Sequence, residues 1–271
     1  MSKPNESRED GPAIGHLSVH LPKYRELTLH CLSDIHIASD RHQRKALEGR
    51  LRQVKDGGLS NRLIFHGDLL DMRNRAGKSF RHGAMAPQDE LDEAVALLTP
   101  YAEHIDLMLN GNHEWRAEKE AGLDMMATIA ARLGRHHAYR RGPSIVRYCW
   151  HAASSNHGQE RFRAQILVHH GFGGGSPGGA RNNIEKLANW KQDVDVVLFG
   201  HTHANEISKR TVYTGWPPKK HEQTLVITGT YTDHEPYAQE MGLAQSWVGA
   251  PVIHLSGQVN SGTPIVRASL G

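Results

Sequence analysis

The chain has 271 residues, of which 38% are hydrophobic and 23% charged, an ordinary balance for one large globular domain or two small ones. A net charge of +3 does not by itself argue for a nucleic-acid binder, and the two cysteines sit inside apolar runs, which excludes a disulfide framework. No apolar run approaches the roughly 18 to 20 residues of a membrane helix, and the first ten residues lack the apolar core of a signal peptide, so a soluble, cytoplasmic protein is expected.

Residues 1–22 are polar and broken by Gly11, Pro12 and Pro22, which predicts a flexible N-terminal arm before a single domain over 23–271. A first strand over about 26–33 ends in Asp34-Ile35-His36. In an extended segment side chains i and i+2 share a side, so this carboxylate and imidazole can grip one ion, although a loop Asp beside a surface His gives the same letters. Residues 42–56 read as a helix with a basic outer face, stopped by Gly57-Gly58. Leu63-Ile64-Phe65 then runs into His66-Gly67-Asp68, where Asp68 is either a bridging carboxylate or a cap for the next element. The basic segment 72–88 carries Arg73 and Arg75, either solvated or placed to touch a phosphate.

Residues 89–104 have a helical period with Leu91, Ala94, Val95 and Leu98 on one face and Pro100 interrupting late. The next buried run, Ile105–Leu109, ends in Asn110-Gly111-Asn112-His113-Glu114, followed by a helix near 117–133. Residues 144–151 and 161–168 predict two strands of a hairpin, the second ending in His169-His170-Gly171. The glycine-rich stretch 171–179, before a helix at 181–190, is either a phosphate cradle or a flexible active-site loop; it lacks the Gly-Lys-Ser/Thr ending of a P-loop. Val196–Phe199 closes in Gly200-His201-Thr202-His203, again with two imidazoles at i and i+2. The strand-like runs at 206–213, 224–230, 252–256 and 264–268 are expected at the far edge of a sheet.

Five apolar runs in order thus end in polar groups, where open α/β sheets build their sites. The collected donors are Asp34, His36, Asp68, Asn112, His169 or His170, His201 and His203. This set has oxygen and nitrogen but no thiolate, which suits Mn, Zn, Fe or Ni and disfavours a structural thiolate zinc site. Seven ligands are too many for one tetrahedral ion and fit two ions sharing a bridge, about 3.5–4 Å apart.

Asp34-x-His36, Gly67-Asp68, Gly111-Asn112-His113-Glu114, the strand-end histidine and Gly200-His-Thr-His203 resemble the five ordered motifs of the calcineurin-like metallophosphoesterases, over about residues 26–204. The resemblance implies an α/β fold, a four-layer α-β-β-α sandwich of two mixed sheets flanked by helices. It implies two divalent metal ions, manganese first, with Asp34, His36 and His203 on one, Asn112, the strand-end histidine and His201 on the other, and Asp68 bridging. Relatives show both His-x-Gly and His-Gly after the fourth strand; His169, the first residue past the apolar run, is preferred to His170. His113 would contact the phosphoryl oxygen and protonate the leaving group, with Glu114 orienting a neighbouring histidine. The glycine stretch and the aromatic tail from Tyr231 to Trp247 are similar to a bacterial and phage branch.

The implied reaction is hydrolysis of a phosphate ester by a metal-bridging hydroxide, without a covalent protein nucleophile. A phosphodiester of a nucleotide or nucleic acid is favoured, because Arg73, Arg75, Arg132, Arg135, Arg140 and Arg141 suit a polyanion. A phosphomonoesterase is the alternative, and a non-catalytic scaffold on the same fold follows behind. No membrane partner is expected.

Overall fold

The computed structural model describes residues 14–21, 24, 26–72, 85–151, 161–173, 177–233, 247–257 and 264–270. Arg73, Arg75, part of the glycine-rich stretch and most of the segment between Tyr231 and Trp247 lie outside the described residues.

Among the described residues, twelve strands form two sheets. They are β1 (Gly15–Leu21), β2 (Glu26–Leu32), β3 (Asn61–His66), β4 (Ile105–Leu109), β5 (Tyr139–Arg140), β6 (Ser144–His151), β7 (Arg161–His169), β8 (Val196–Phe199), β9 (Glu206–Thr214), β10 (Lys219–Ile227), β11 (Pro251–Gly257) and β12 (Pro264–Leu270). One sheet has the order β1-β6-β7-β8-β10-β9 and the other β12-β11-β2-β3-β4-β5. Both are mixed: β2, β3, β4 and β5 run parallel, as do β7, β8 and β10, while the antiparallel β9–β10 and β11–β12 hairpins each close one edge.

The α-helices are α1 (Arg44–Asp56), α2 (Pro87–Leu98), α3 (Asn112–Ala121), α4 (Met125–Arg132) and α5 (Pro177–Trp190). In α1 the buried stripe is Leu47, Leu51 and Val54, a spacing of four and three that lays one face on the sheet. Proline and two acids in its first turn start α2, where a missing N–H costs nothing and negative charge meets the helix dipole. Pro100 sits in a 3₁₀ turn, Thr99–His104, that carries the chain into β4. The helix expected near 117–133 is two: α3 stops after Ala121, and Asp124 caps α4 by accepting the Ala127 N–H at 2.9 Å.

Strand alternation sorts the core into three layers. Leu29, Cys31, Ile64, Leu107, Ile166, Val168, Val196 and Leu198 fill the space between the sheets. Leu63, Phe65 and Met108 face the opposite way, under α1, α2 and α4, and Leu167, Val197 and Phe199 lie under α5. The result is the four-layer α-β-β-α sandwich of two mixed sheets. A buried ion pair staples it: Arg62 Nε donates to Asp106 at 3.0 Å, and the Tyr148 hydroxyl of the facing sheet donates to the same carboxylate at 3.0 Å.

Two expectations need correction. Gly15–Leu21 is not part of a loose arm: it is β1, in parallel register with β6 from Gly15↔Ser144 to Leu21↔Trp150. Leu17, Val19 and Leu21 pack against the inter-sheet core, in the strict apolar–polar alternation of His16-Leu17-Ser18-Val19-His20-Leu21 that marks a half-buried strand. The tail strands also do not share one edge, since β9 and β10 finish the first sheet and β11 and β12 the second.

Among the described residues no helix is long and apolar enough to cross a membrane.

Candidate metal centre

The carboxyl ends of β2, β3 and β4 in one sheet meet those of β7 and β8 in the other, and the loops leaving them converge. Each delivers part of one cluster. Asp34, His36 and His203 bring a carboxylate oxygen and two ring nitrogens within 4.8 Å of one another, as do Asp68, His170 and His201. A third group, His36, Asp71 and His113, overlaps the first.

The backbone is strained at these positions. Asp34, His36, Asp68, His201 and His203 all have φ between 50° and 68°, the left-handed region that non-glycine residues avoid. Each costs on the order of 1–3 kcal/mol and persists only where surrounding bonds impose it. Here the loops impose it on each other: Ile35 N–H and His36 N–H donate to the Asp68 carbonyl at 2.8 and 3.0 Å, and Asp34 N–H to the Gly67 carbonyl at 3.1 Å. Gly67, at φ 111°, turns beneath the His170 ring, and a Cβ on Gly111 would overlap the Asp68 carboxylate.

Asp34 is fully buried; its Oδ2 accepts from Ser33 Oγ at 2.6 Å and from His201 N–H at 2.9 Å, while Oδ1 lies 3.5 Å from His203 Nε2. Thr230 Oγ1 and Tyr231 N–H hold its carbonyl at 2.7 and 3.0 Å. Asp68 belongs to the second triad and also faces the first: its Oδ1 accepts the His113 N–H at 2.9 Å, and its Oδ2 lies 3.3 Å from His170 Nε2 and 3.9 Å from His36 Nε2. Asn112 Oδ1 faces His170 Nε2 at 2.9 Å and His201 Nδ1 at 2.8 Å. The other nitrogens are tied back: His170 Nδ1 donates to the His66 carbonyl at 3.0 Å and His201 Nε2 to that of Gly173 at 3.0 Å. That arrangement aims one lone pair of each imidazole at the cluster.

Burial alone would raise both carboxyls, but His203 beside Asp34 and His170 beside Asp68 outweigh it and hold both well below the usual range. Burial and the neighbouring His113 push His36 down to about 3. His170 goes the other way: against its burial, the Asp68 carboxylate lifts it to about 9. The cluster is built around negative oxygens that require a positive charge in their midst.

His169 is the one expected ligand that the structure places elsewhere. Its ring lies between Phe172 and Phe199, centroids 5.5 and 6.4 Å away, and its Nδ1 accepts the Gly171 N–H at 2.8 Å. The reason is strand parity: His169 shares a face with Leu167, under α5, whereas His170 continues the inward face of Ile166 and Val168. His170 therefore replaces His169 in the cluster.

Glu114 also differs from expectation. Among the described residues it bonds to no histidine; its fully buried carboxylate accepts backbone N–H groups from Gly111 at 2.8 Å, Leu70 at 2.9 Å and Asp68 at 3.1 Å. His113 Nδ1 donates to the Asp71 carbonyl, and its ring stands edge-on to His36 at 4.6 Å. Asp71, Ser33 and Thr230 support the cluster but carry no sequence signal beyond proximity to a motif, and Thr230 lies nearly 200 residues from the carbonyl it holds (|i−j| = 196).

The donor set fits divalent metal ions. Asp34 Oδ1 and both ring nitrogens of His36 are buried without a hydrogen-bond partner among the described residues, a cost that cation coordination would remove. An α-β-β-α sandwich with clustered carboxylate, amide and imidazole donors at its strand ends defines a metallohydrolase architecture. The chain belongs to the calcineurin-like phosphoesterase family, whose model matches residues 27–205, and this is a family of metal-dependent phosphoester hydrolases.

No curated protein matches the chain. Similar solved structures include the calcineurin-like phosphoesterase YfkN from Bacillus subtilis, 13% identical over 90% of this chain and 90% of that one, with a TM-score of 0.49. Vps29 from Entamoeba histolytica, complexed with zinc, is 12% identical over 90% of this chain and 99% of its own, with a TM-score of 0.40. The NAD nucleotidase NadN of Haemophilus influenzae is 9% identical over 89% of this chain and 49% of its own, with a TM-score of 0.43.

Proposed function

We propose that this protein is a dinuclear metal-dependent phosphodiesterase acting on nucleotide esters. The observation that carries this reading is the pair of triads, Asp34 with His36 and His203 and Asp68 with His170 and His201, with Asp68 also facing His36 and His113 standing alongside. Asp34, His36 and His203 would hold one ion and Asn112, His170 and His201 the other, with Asp68 reaching both; manganese is the first choice for this oxygen and nitrogen set. When bound, the ions supply Lewis acidity toward a phosphoryl oxygen.

The chain's own groups then have separate tasks. The Asp71 carbonyl fixes the His113 ring through Nδ1, leaving Nε2 to donate a proton to a phosphoryl or leaving-group oxygen. Glu114 holds the Asp68 loop against the start of α3 through three backbone N–H groups.

Two divalent ions set against the Asp34 and Asp68 carboxylates would leave a net positive site that attracts a phosphate ester of either charge, so the diester is our own choice and the paired-substrate test decides it.

Of the arginines expected to grip a polyanion, the four among the described residues are engaged elsewhere. Arg141 pairs with Glu118 at 2.6 Å, Arg132 with Asp92, and Arg135 Nε donates to the Ile105 carbonyl at 3.1 Å. Arg140 donates to the carbonyls of Tyr139, His137 and His16 at 2.7, 2.8 and 3.1 Å. Such internal use supports a small nucleotide ester over a nucleic-acid strand.

The test is hydrolysis of bis-p-nitrophenyl phosphate beside p-nitrophenyl phosphate, with Mn²⁺ added to metal-stripped protein. Preference for the diester supports the reading, and preference for the monoester replaces it with a phosphatase. His113→Ala should lower kcat roughly 10²- to 10⁴-fold with metal content retained; loss of metal as well would refute the acid role.

A further inference from the structure

A cavity of about 290 Å³ opens directly beside the cluster, walled by Asn112 and His170 on one side and by Leu109, Trp115 and Pro143 on the others. Its walls are apolar apart from the cluster residues, Asn110 and His169. Helical spacing explains Trp115: it follows Asn112 by three positions in α3, so its indole stands on the same face as the carboxamide that meets His170 and His201. Trp115 is 38% exposed, so its ring is open to a ligand.

Asn110 adds a polar group. Its Nδ2 donates to Tyr139 Oη at 3.2 Å and faces Asp124 Oδ1 at 3.4 Å, while its buried Oδ1 has no partner among the described residues. The volume lies at the small end of ligand pockets, about 300 to 1,000 Å³, enough for one planar ring system and too little for a run of stacked bases.

We propose that this cavity is a nucleobase subsite, with the Trp115 indole as its stacking wall, and that it selects nucleoside phosphodiesters; this rests on the phosphodiesterase reading above. A phosphate seated on the cluster would carry its nucleoside into the cavity that Asn112 and His170 border. Stacking accepts any base, so the subsite prefers nucleotides as a class without choosing strongly between them.

The test compares thymidine 5′-(p-nitrophenyl phosphate) with methyl p-nitrophenyl phosphate, diesters of equal charge and identical leaving group. In the metal-loaded wild type, kcat/KM should favour the thymidine ester by roughly tenfold or more. Trp115→Ala should bring that ratio close to one, and Trp115→Phe should keep most of it. A wild type without preference, or a preference that survives Trp115→Ala, overturns the subsite. If neither ester is turned over, the phosphodiesterase reading fails, and equilibrium dialysis of the metal-loaded chain then decides the subsite. Thymidine 5′-monophosphate should bind more tightly than inorganic phosphate, with the advantage lost in Trp115→Ala; equal binding refutes it.

Discussion

Replacing Glu114 by Gln takes one acceptor oxygen from a carboxylate on which two loops depend. Oε2 accepts from Gly111 and Asp68, and Oε1 from Leu70, all at 2.8–3.1 Å and out of water. With its oxygen in the Oε2 position, a glutamine keeps two bonds and turns its own NH₂ against the Leu70 N–H. One charge-assisted bond is lost and one buried donor is orphaned, about 1–3 kcal/mol. A partial offset exists, because burial and the nearby Asp68 charge already push the Glu114 pKa up, so removing its charge relieves some repulsion. The net expectation is about 2 kcal/mol, a large share of a typical total of about 5–15 kcal/mol. Glu114→Ala orphans all three donors and should cost about 4 kcal/mol or more. Urea unfolding of the metal-free protein gives both values as the midpoint shift multiplied by m. Because Asp68 is one of the anchored residues, Glu114→Gln should also weaken metal retention. A Gln variant within about 0.5 kcal/mol of wild type, with Ala no worse, would refute the claim that this carboxylate holds the loops.

His170→Ala should reduce bound metal, measured by elemental analysis after dialysis, whereas His169→Ala should leave it near the wild-type content; the opposite pattern would restore His169 to the cluster. Asp106→Asn leaves the Arg62 charge buried without its partner and should destabilise the protein by about 3–5 kcal/mol in urea unfolding. Glu90 is buried, accepts the Met72 N–H at 2.9 Å, and is lifted from 4.5 to about 7, chiefly by burial with Asp71 adding repulsion. A carboxyl whose folded pKa is raised stabilises the protein fully below about pH 4.5 and loses that contribution as pH rises through about 7. Glu90→Gln should flatten the decline in urea midpoint across that window, and an unchanged pH profile would show that Glu90 does not titrate there.

Which residue types meet, and in what order, is legible from the letters alone. Buried runs ending in Asp34-x-His36, Gly67-Asp68, Gly111-Asn112-His113 and Gly200-His-Thr-His203 signal a shared site, because parallel strands deliver their loops to one edge. The helices were legible too, since a stripe such as Leu47, Leu51 and Val54 depends on local periodicity alone.

Tertiary structure decided everything set by distance across the fold. His169 and His170 are neighbours in sequence, and only the strand's orientation between α5 and the second sheet selects His170. Arg132, Arg135, Arg140 and Arg141 read as a basic patch until their partners, 23 residues away in Glu118 or 30 in Ile105, are seen to engage them. Glu114 looks like a histidine partner in sequence, yet it binds N–H groups from a loop 44 and 46 residues earlier. Hydrogen bonds and ion pairs of this kind depend on positions in space. Periodicity records which face a residue occupies, and only the packed chain records what stands opposite it.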